Sequence, residues 1–99
     1  LMQMENDDLL HNLSAKSMLA KMYYALQEYD ALDSLLNSFR TYIYRKEVSY
    51  HRDFYLPFIG FMNRLVALRP YDRKGKEKMR QEVRAARSPE KDWLLKQLG

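Results

Sequence analysis

The chain has 99 residues, 46% of them apolar and 30% charged, which is the ordinary composition of one soluble globular domain. It contains no cysteine, so disulfides, zinc–thiolate sites and thiol nucleophiles are excluded. No apolar run approaches the ~18 residues that span a bilayer, and no membrane partner is expected. The N-terminal residues do not have the pattern of a secretory signal. The sequence does not determine the cellular compartment, although we favour the cytoplasm. Because the chain does not begin with Met, we expect a piece of a longer protein.

The net charge of +4 is unevenly distributed along the chain. Residues 1–38 hold two basic and six acidic side chains, whereas residues 39–99 hold fifteen basic and seven acidic ones. Such a split can guide an acidic partner to the C-terminal half, or it can let copies of the chain attract one another.

Hydrophobic periodicity predicts an all-α fold of four to five helices, because apolar residues recur at helical spacing and no segment alternates as a strand does. We predict a disordered tail over 1–5 and one helical domain over 6–99. Asn6 or Asp7 can cap the first helix. The predicted helices span about 7–28, 30–45, 50–68, 73–87 and 89–98.

The second helix has the clearest pattern, with apolar side chains at i, i+3, i+4, i+7 and i+11: Leu32, Leu35, Leu36, Phe39 and Ile43. The first helix carries a wide apolar surface, which predicts neighbours on both flanks. Residues 28–30 form a tight link in which Asp30 can cap the second helix. Two helices joined by so short a link must pack as an antiparallel hairpin.

The third helix carries two adjacent apolar rows, which are Phe54, Phe58, Phe61, Leu65 and Leu68 beside Tyr55, Ile59, Met62 and Val66. Pro57 lies inside this pattern, and a proline there removes one hydrogen bond and crowds the carbonyl of Asp53. Either the helix kinks at Pro57 or a separate turn precedes it. We favour a kinked continuous helix.

The last two predicted helices differ in character. The fourth has only a sparse apolar stripe among many charges. Ser88 and Pro89 are typical of a helix start, with Ser as the cap and Pro at the first helical position. In the helix that follows, Trp93, Leu94 and Leu98 can pack onto the rest of the domain.

From Leu19 to Phe39 the chain resembles one tetratricopeptide unit, a repeat built from two antiparallel helices. Leu19-Ala20 stands where that family has Leu-Gly, and Tyr23 and Tyr29 follow at the matching offsets. The resemblance implies antiparallel helical hairpins stacked in a right-handed tetratricopeptide-like arrangement. The chain also resembles the C-terminal ends of longer bacterial proteins with helical repeats.

Other positions depart from the family pattern. Lys16 replaces the usual Trp, and Tyr44 stands in place of the closing Pro. Leu32 and Phe39 occupy positions where the family has small residues. The next Leu-Gly-like pair, Ile59-Gly60, follows 40 residues later instead of the usual ~34.

The resemblance implies a function in protein–protein interaction or scaffolding, since one helix face of that family lines a concave groove that binds peptides. The residues that share the corresponding face, and that we predict to bind a partner, are Ser14, Ser17, Lys21 and Tyr24. The partner would be another protein, adjacent repeats of the parent chain or a second copy.

Two alternatives stay open. The helix over 73–87 could bind nucleic acid or an acidic partner through Arg73, Lys74, Lys76, Arg80, Arg84 and Arg87. Interleaved acids, such as Glu82 four residues after Lys78, favour a solvated helix over a nucleic-acid site. The chain could also be the structural C-terminal cap of a longer solenoid, with its first helix resting on a preceding unit.

Enzyme activity is not expected. His11 and His51 are the only histidines, and His51 and Asp53 are two residues apart, which points them in different directions on a helix. The serines and glycines form no nucleophile elbow or phosphate loop. We predict no catalytic residue, no metal ligand and no cofactor.

Overall fold

The computed structural model describes the backbone of residues 2–46 and 49–99, and the side chains of 9–46 and 51–99. These residues form five α-helices and no strand, which confirms the predicted all-α class. The helices are α1 (Met2–Ala25), α2 (Tyr29–Lys46), α3 (Ser49–Ala67), α4 (Arg73–Ala85) and α5 (Lys91–Leu98). Helix α2 packs against both α1 and α3, and α4 packs against α5. Within the described residues, no helix is both long enough and apolar enough to cross a bilayer.

The helix bounds differ from the predicted ones mainly at the N-terminus. Helix α1 begins at Met2, so it includes residues that we assigned to a disordered tail. Residues 2–5 are Met, Gln and Glu, which favour helix and contain no breaker. The side chains of Asn6 and Asp7, proposed as caps, lie outside the described residues.

Helix α1 ends in a Schellman motif, which fixes the turn into α2. Gln27 has a positive φ of 60°, its amide donates to the Tyr24 carbonyl (3.1 Å), and the Glu28 amide donates to the Tyr23 carbonyl (2.9 Å). The link therefore precedes the predicted one. Asp30 lies within the first turn of α2 instead of capping it, and its charge there suits the helix dipole.

The buried core draws on all five helices. The α2 pattern is confirmed, since its buried residues are Leu32, Leu36, Phe39 and Ile43. Helix α3 contributes the largest share, namely Tyr55, Phe58, Ile59, Phe61, Met62 and Leu65. Because these residues form two adjacent rows, α3 has neighbours on both sides. Val66, predicted in the second row, is instead 41% exposed because it lies past the edge of the buried rows.

Helix α3 runs without interruption through Pro57, as the continuous alternative predicted. Phe58 and Ile59 follow the proline and are completely buried. Their burial offsets the lost backbone hydrogen bond, because two large apolar side chains contribute roughly 1.5–3 kcal/mol each. The kink at Pro57 stays a prediction.

We expect Leu36→Ala to lower the free energy of unfolding by about 2–5 kcal/mol, because it removes a buried side chain and leaves a cavity. Leu36 is 1% exposed, whereas Leu26 is 66% exposed, so Leu26→Ala is a matched control with the same chemical change. Urea denaturation measures both. Equal losses for the two variants would contradict the core described above.

We expect Gln27→Gly to raise the free energy of unfolding by roughly 0.5–1 kcal/mol, because glycine adopts a positive φ without the steric cost that glutamine has. The same change at Gln81, an exposed position inside α4, should lower it by a similar amount. Urea denaturation of both variants measures the contrast. A loss of stability in Gln27→Gly would contradict the turn geometry.

Candidate interaction surfaces

The predicted groove face of α1 is largely covered by other parts of the molecule. Ser14 is exposed, but Ser17 is buried, and its hydroxyl donates to the Leu13 carbonyl (3.0 Å). A serine that bonds back to its own helix in this way has its polar group satisfied inside the core. Ser17 is therefore not accessible to a partner in this structure.

Lys21 forms an ion pair with the residue that precedes α5. Its ammonium lies 3.0 and 2.9 Å from the two carboxylate oxygens of Glu90, with each side chain about a quarter exposed. Burial, and secondarily the charge of Glu90, raise the pKa of Tyr55 on α3. Glu90 thus lies where α1, α3 and α5 meet, and Lys21 is occupied within the chain.

Tyr24 packs against the aromatic residue of α5. Its ring meets Trp93 edge-on with 5.6 Å between centroids, and it meets Tyr29 at 6.3 Å. Burial raises the pKa of the Tyr24 hydroxyl, and the neighbouring Tyr29 raises it further. Two of the four predicted groove residues therefore hold the protein's own C-terminal helix.

The chain reaches α5 through a turn that differs from the predicted helix start. Helix α5 begins at Lys91, and Glu90 at the cap position has a left-handed φ of 63°. Ser88 is buried and its hydroxyl donates to the Pro89 carbonyl (2.9 Å), so neither Ser88 nor Pro89 has the predicted capping role. The ion pair between Glu90 and Lys21 stabilises this turn. The residues around Ser88 and Pro89 do not reveal that contact, because Lys21 is distant in sequence.

Two cationic side chains connect α4 and α5 by donating to backbone carbonyls in the last turns of these helices. Carbonyls in a last helical turn have no partner within their own helix. Arg80 donates to the Leu98 carbonyl (2.8 Å), and Lys91 donates to the Arg84 carbonyl (2.7 Å). Arg80 also pairs with Glu77. Arg80, one of the predicted basic-patch residues, thus has a structural role within the α4–α5 pair.

The remaining residues of the predicted basic patch lie mostly on the solvent side of α4 and just beyond its end. Arg73, Lys74, Arg84 and Arg87 are exposed, and Lys76 is half-buried. The acids of the helix are occupied, since Glu77 pairs with Arg80 and Glu82 pairs with Arg64 of α3 (2.7 Å). The hydrogen bond from Arg64 lowers the pKa of Glu82, and the positive charges of Arg64 and Lys78 lower it further. Desolvation of the carboxylate raises the pKa by a smaller amount than the hydrogen bond lowers it.

The side of α1 opposite its buried residues, together with Leu26 directly after the helix, carries apolar residues that other described elements leave exposed. Met18, Met22 and Leu26 follow one another at i, i+4 and i+8 and are 57%, 56% and 66% exposed. We call these three residues the methionine stripe. These residues belong to the wide apolar surface predicted for the first helix, whose periodicity does not show which part of it stays uncovered.

The exposed residues of α1 from position 10 to its end include no Asp, Glu, Lys or Arg. The two lysines of this segment are half-buried and contact other helices or their flanks. The Lys16 ammonium lies 4.5 Å from the centroid of the Tyr42 ring, and Lys21 pairs with Glu90. In a chain that is 30% charged, a charge-free exposed helix face is unusual.

No group of three His, Asp or Glu side chains in the described part of the chain could hold a metal ion. Comparison with family models, with curated proteins and with solved structures finds no match to this chain. The candidate surfaces are therefore the methionine stripe and the basic side of α4.

We expect Tyr24→Ala to shift the fluorescence emission of Trp93 to longer wavelength, because the indole loses its edge contact and gains water. Trp93 is the only tryptophan, so its emission reports the seating of α5 directly. Tyr24→Phe should leave the emission unchanged, since the contact does not use the hydroxyl. Tyr44→Ala, which removes an exposed ring on α2, is the matched control. Unchanged emission in a folded Tyr24→Ala variant would contradict the contact.

Proposed function

We propose that the protein is a protein–protein interaction module, a helical scaffold that docks a partner on the methionine stripe of α1. The observation that carries the proposal is the charge-free, methionine-rich exposed face. Interface cores are depleted in charged residues and enriched in methionine. Methionine is flexible and polarisable, which lets one surface adapt to the side chains of a partner.

The occupant that fits this surface is an amphipathic helix with basic residues at one end. The stripe follows a regular helix for about 12 Å from Met18 to Leu26, which suits a second helix laid along it. Glu28, Asp30 and Asp33 follow directly along the chain, and all three are exposed and form no ion pair with a described residue. Basic side chains would be attracted there, whereas an anionic membrane surface would be repelled.

The tetratricopeptide resemblance is consistent with this proposal and adds a competitor. A right-handed stack of hairpins would place a preceding helical unit on the first helix of this chain, which is the structural-cap hypothesis. That unit would cover the same stripe. The two hypotheses differ in the isolated chain, because an uncovered cap should associate with itself, whereas a docking module should bind a partner helix as a monomer.

The test uses a fluorescein-labelled synthetic helix with leucines at i, i+4 and i+8 and lysines at one end. We expect it to bind, and we expect the double variant Met18→Gln/Met22→Gln to weaken binding about tenfold, equivalent to about 1.4 kcal/mol. Val66→Gln is the matched control, because Val66 is an exposed apolar residue on another helix. Fluorescence anisotropy measures the affinities.

Two outcomes would contradict the proposal. A peptide of the same composition in scrambled order should bind poorly, so equal binding would indicate nonspecific attraction. Sedimentation of the chain alone should show a monomer. Self-association that disappears in the double variant would assign the stripe to a second copy, as the structural-cap hypothesis predicts.

A further inference from the structure

The turn between α3 and α4 presents an aromatic ring to solvent among cations. Tyr71 is 75% exposed, which exceeds the exposure of the methionine-stripe residues. Two depressions of about 600 and 620 Å³ flank it. The first is lined by Arg69, Arg73 and Lys74, and the second by Arg73, Lys76 and Arg80, with Tyr71 belonging to both.

Backbone hydrogen bonds hold this turn in one conformation. The Asp72 amide donates to the Arg69 carbonyl (3.1 Å), and the Arg73 amide donates to the Tyr71 carbonyl (3.1 Å). The Asp72 carboxylate accepts from the Gly75 amide (2.8 Å) and caps α4. A side chain at Gly75 would collide with that carboxylate, so the cap requires glycine. Tyr71 is therefore presented by a fixed turn.

The cations around Tyr71 are available, whereas the acids are occupied. Arg69, Arg73, Lys74 and Lys76 form no ion pair with a described residue. Arg69 instead donates to the Tyr71 hydroxyl (3.3 Å). Of the two acids that line the depressions, Asp72 caps α4 and Glu77 pairs with Arg80.

We propose that this turn binds single-stranded nucleic acid, with a base stacked on Tyr71 and phosphates beside Arg69, Arg73 and Lys74. Sequence-tolerant sites for single strands combine an aromatic platform with a basic surface that follows the backbone. The exposed ring distinguishes this ligand from an acidic peptide, which needs only the cations. A membrane surface fits less well, because the apolar residues Met79 and Val83 of α4 are buried and unable to insert.

The first test separates stacking from charge. A short labelled oligothymidylate and inorganic polyphosphate are titrated with the full chain by fluorescence anisotropy and by competition. We expect Tyr71→Ala to weaken oligothymidylate binding about fivefold or more and to leave polyphosphate binding unchanged, while Tyr71→Phe retains both. Tyr44→Ala is the matched control, because Tyr44 is also exposed and lies 5.8 Å from an arginine, Arg52.

Three outcomes would overturn the proposal. Equal weakening by Tyr44→Ala would mean that any exposed tyrosine near a cation suffices. Equal weakening of polyphosphate binding by Tyr71→Ala would mean that the ring acts on the fold. Binding of a poly-glutamate peptide as tight as that of the oligothymidylate, and indifferent to Tyr71→Ala, would assign the turn to an acidic protein segment.

The second test locates the phosphates. Arg73→Gln and Lys74→Gln should each reduce the slope of log affinity against log salt by about 0.7, the value for one phosphate contact of a single strand. Arg45→Gln should leave the slope unchanged. Arg45 lies at the end of α2, near the start of α3, whereas the Tyr71 turn follows the other end of α3, about 28 Å away. An equal reduction by Arg45→Gln would indicate a diffuse charge effect and would overturn the site.

Discussion

The contact between α1 and the start of α5 determines which surfaces of the molecule remain exposed. Lys21 pairs with Glu90, which lies 69 residues away in sequence and directly precedes α5. Three residues further along each segment, Tyr24 of α1 meets Trp93 of α5. This contact places α5 over one side of α1 and leaves the methionine stripe on the other. It also keeps the α4–α5 pair beside the core, with the buried residues of α4 facing inward.

Burial of leucines contributes more to the placement of α5 than the ion pair does. Leu94 and Leu98 of α5 are fully buried, and each contributes roughly 1.5–3 kcal/mol. A partly exposed ion pair such as Lys21–Glu90 contributes about 1 kcal/mol or less. The left-handed backbone of Glu90 costs roughly 1–3 kcal/mol, which offsets that gain. The ion pair therefore acts mainly to select where the α5 helix begins, while the leucines hold it in place.

The parts of the structure that depend on local pattern could be predicted from the sequence, and those that depend on distant contacts could not. The spacing of Leu32, Leu36 and Phe39 predicted the buried side of α2, and the helices that pack most closely against α2 are α1 and α3, which adjoin it in sequence. Helix α1 has apolar residues on several sides, and its periodicity does not show which of them α2, α3 and α5 cover. The sequence therefore did not show that Ser17 is buried or that Met22 is exposed.

The two candidate surfaces differ in how they should respond to salt. Attraction by the methionine stripe comes from apolar area, which screening by ions leaves largely intact. Attraction by the turn at Tyr71 comes from unpaired cations and weakens steeply as salt rises. The uneven charge of the chain adds a third possibility, in which the acids after the stripe of one copy meet the cations of another. Such head-to-tail pairing would also weaken with salt, so an association that survives physiological salt points to the stripe.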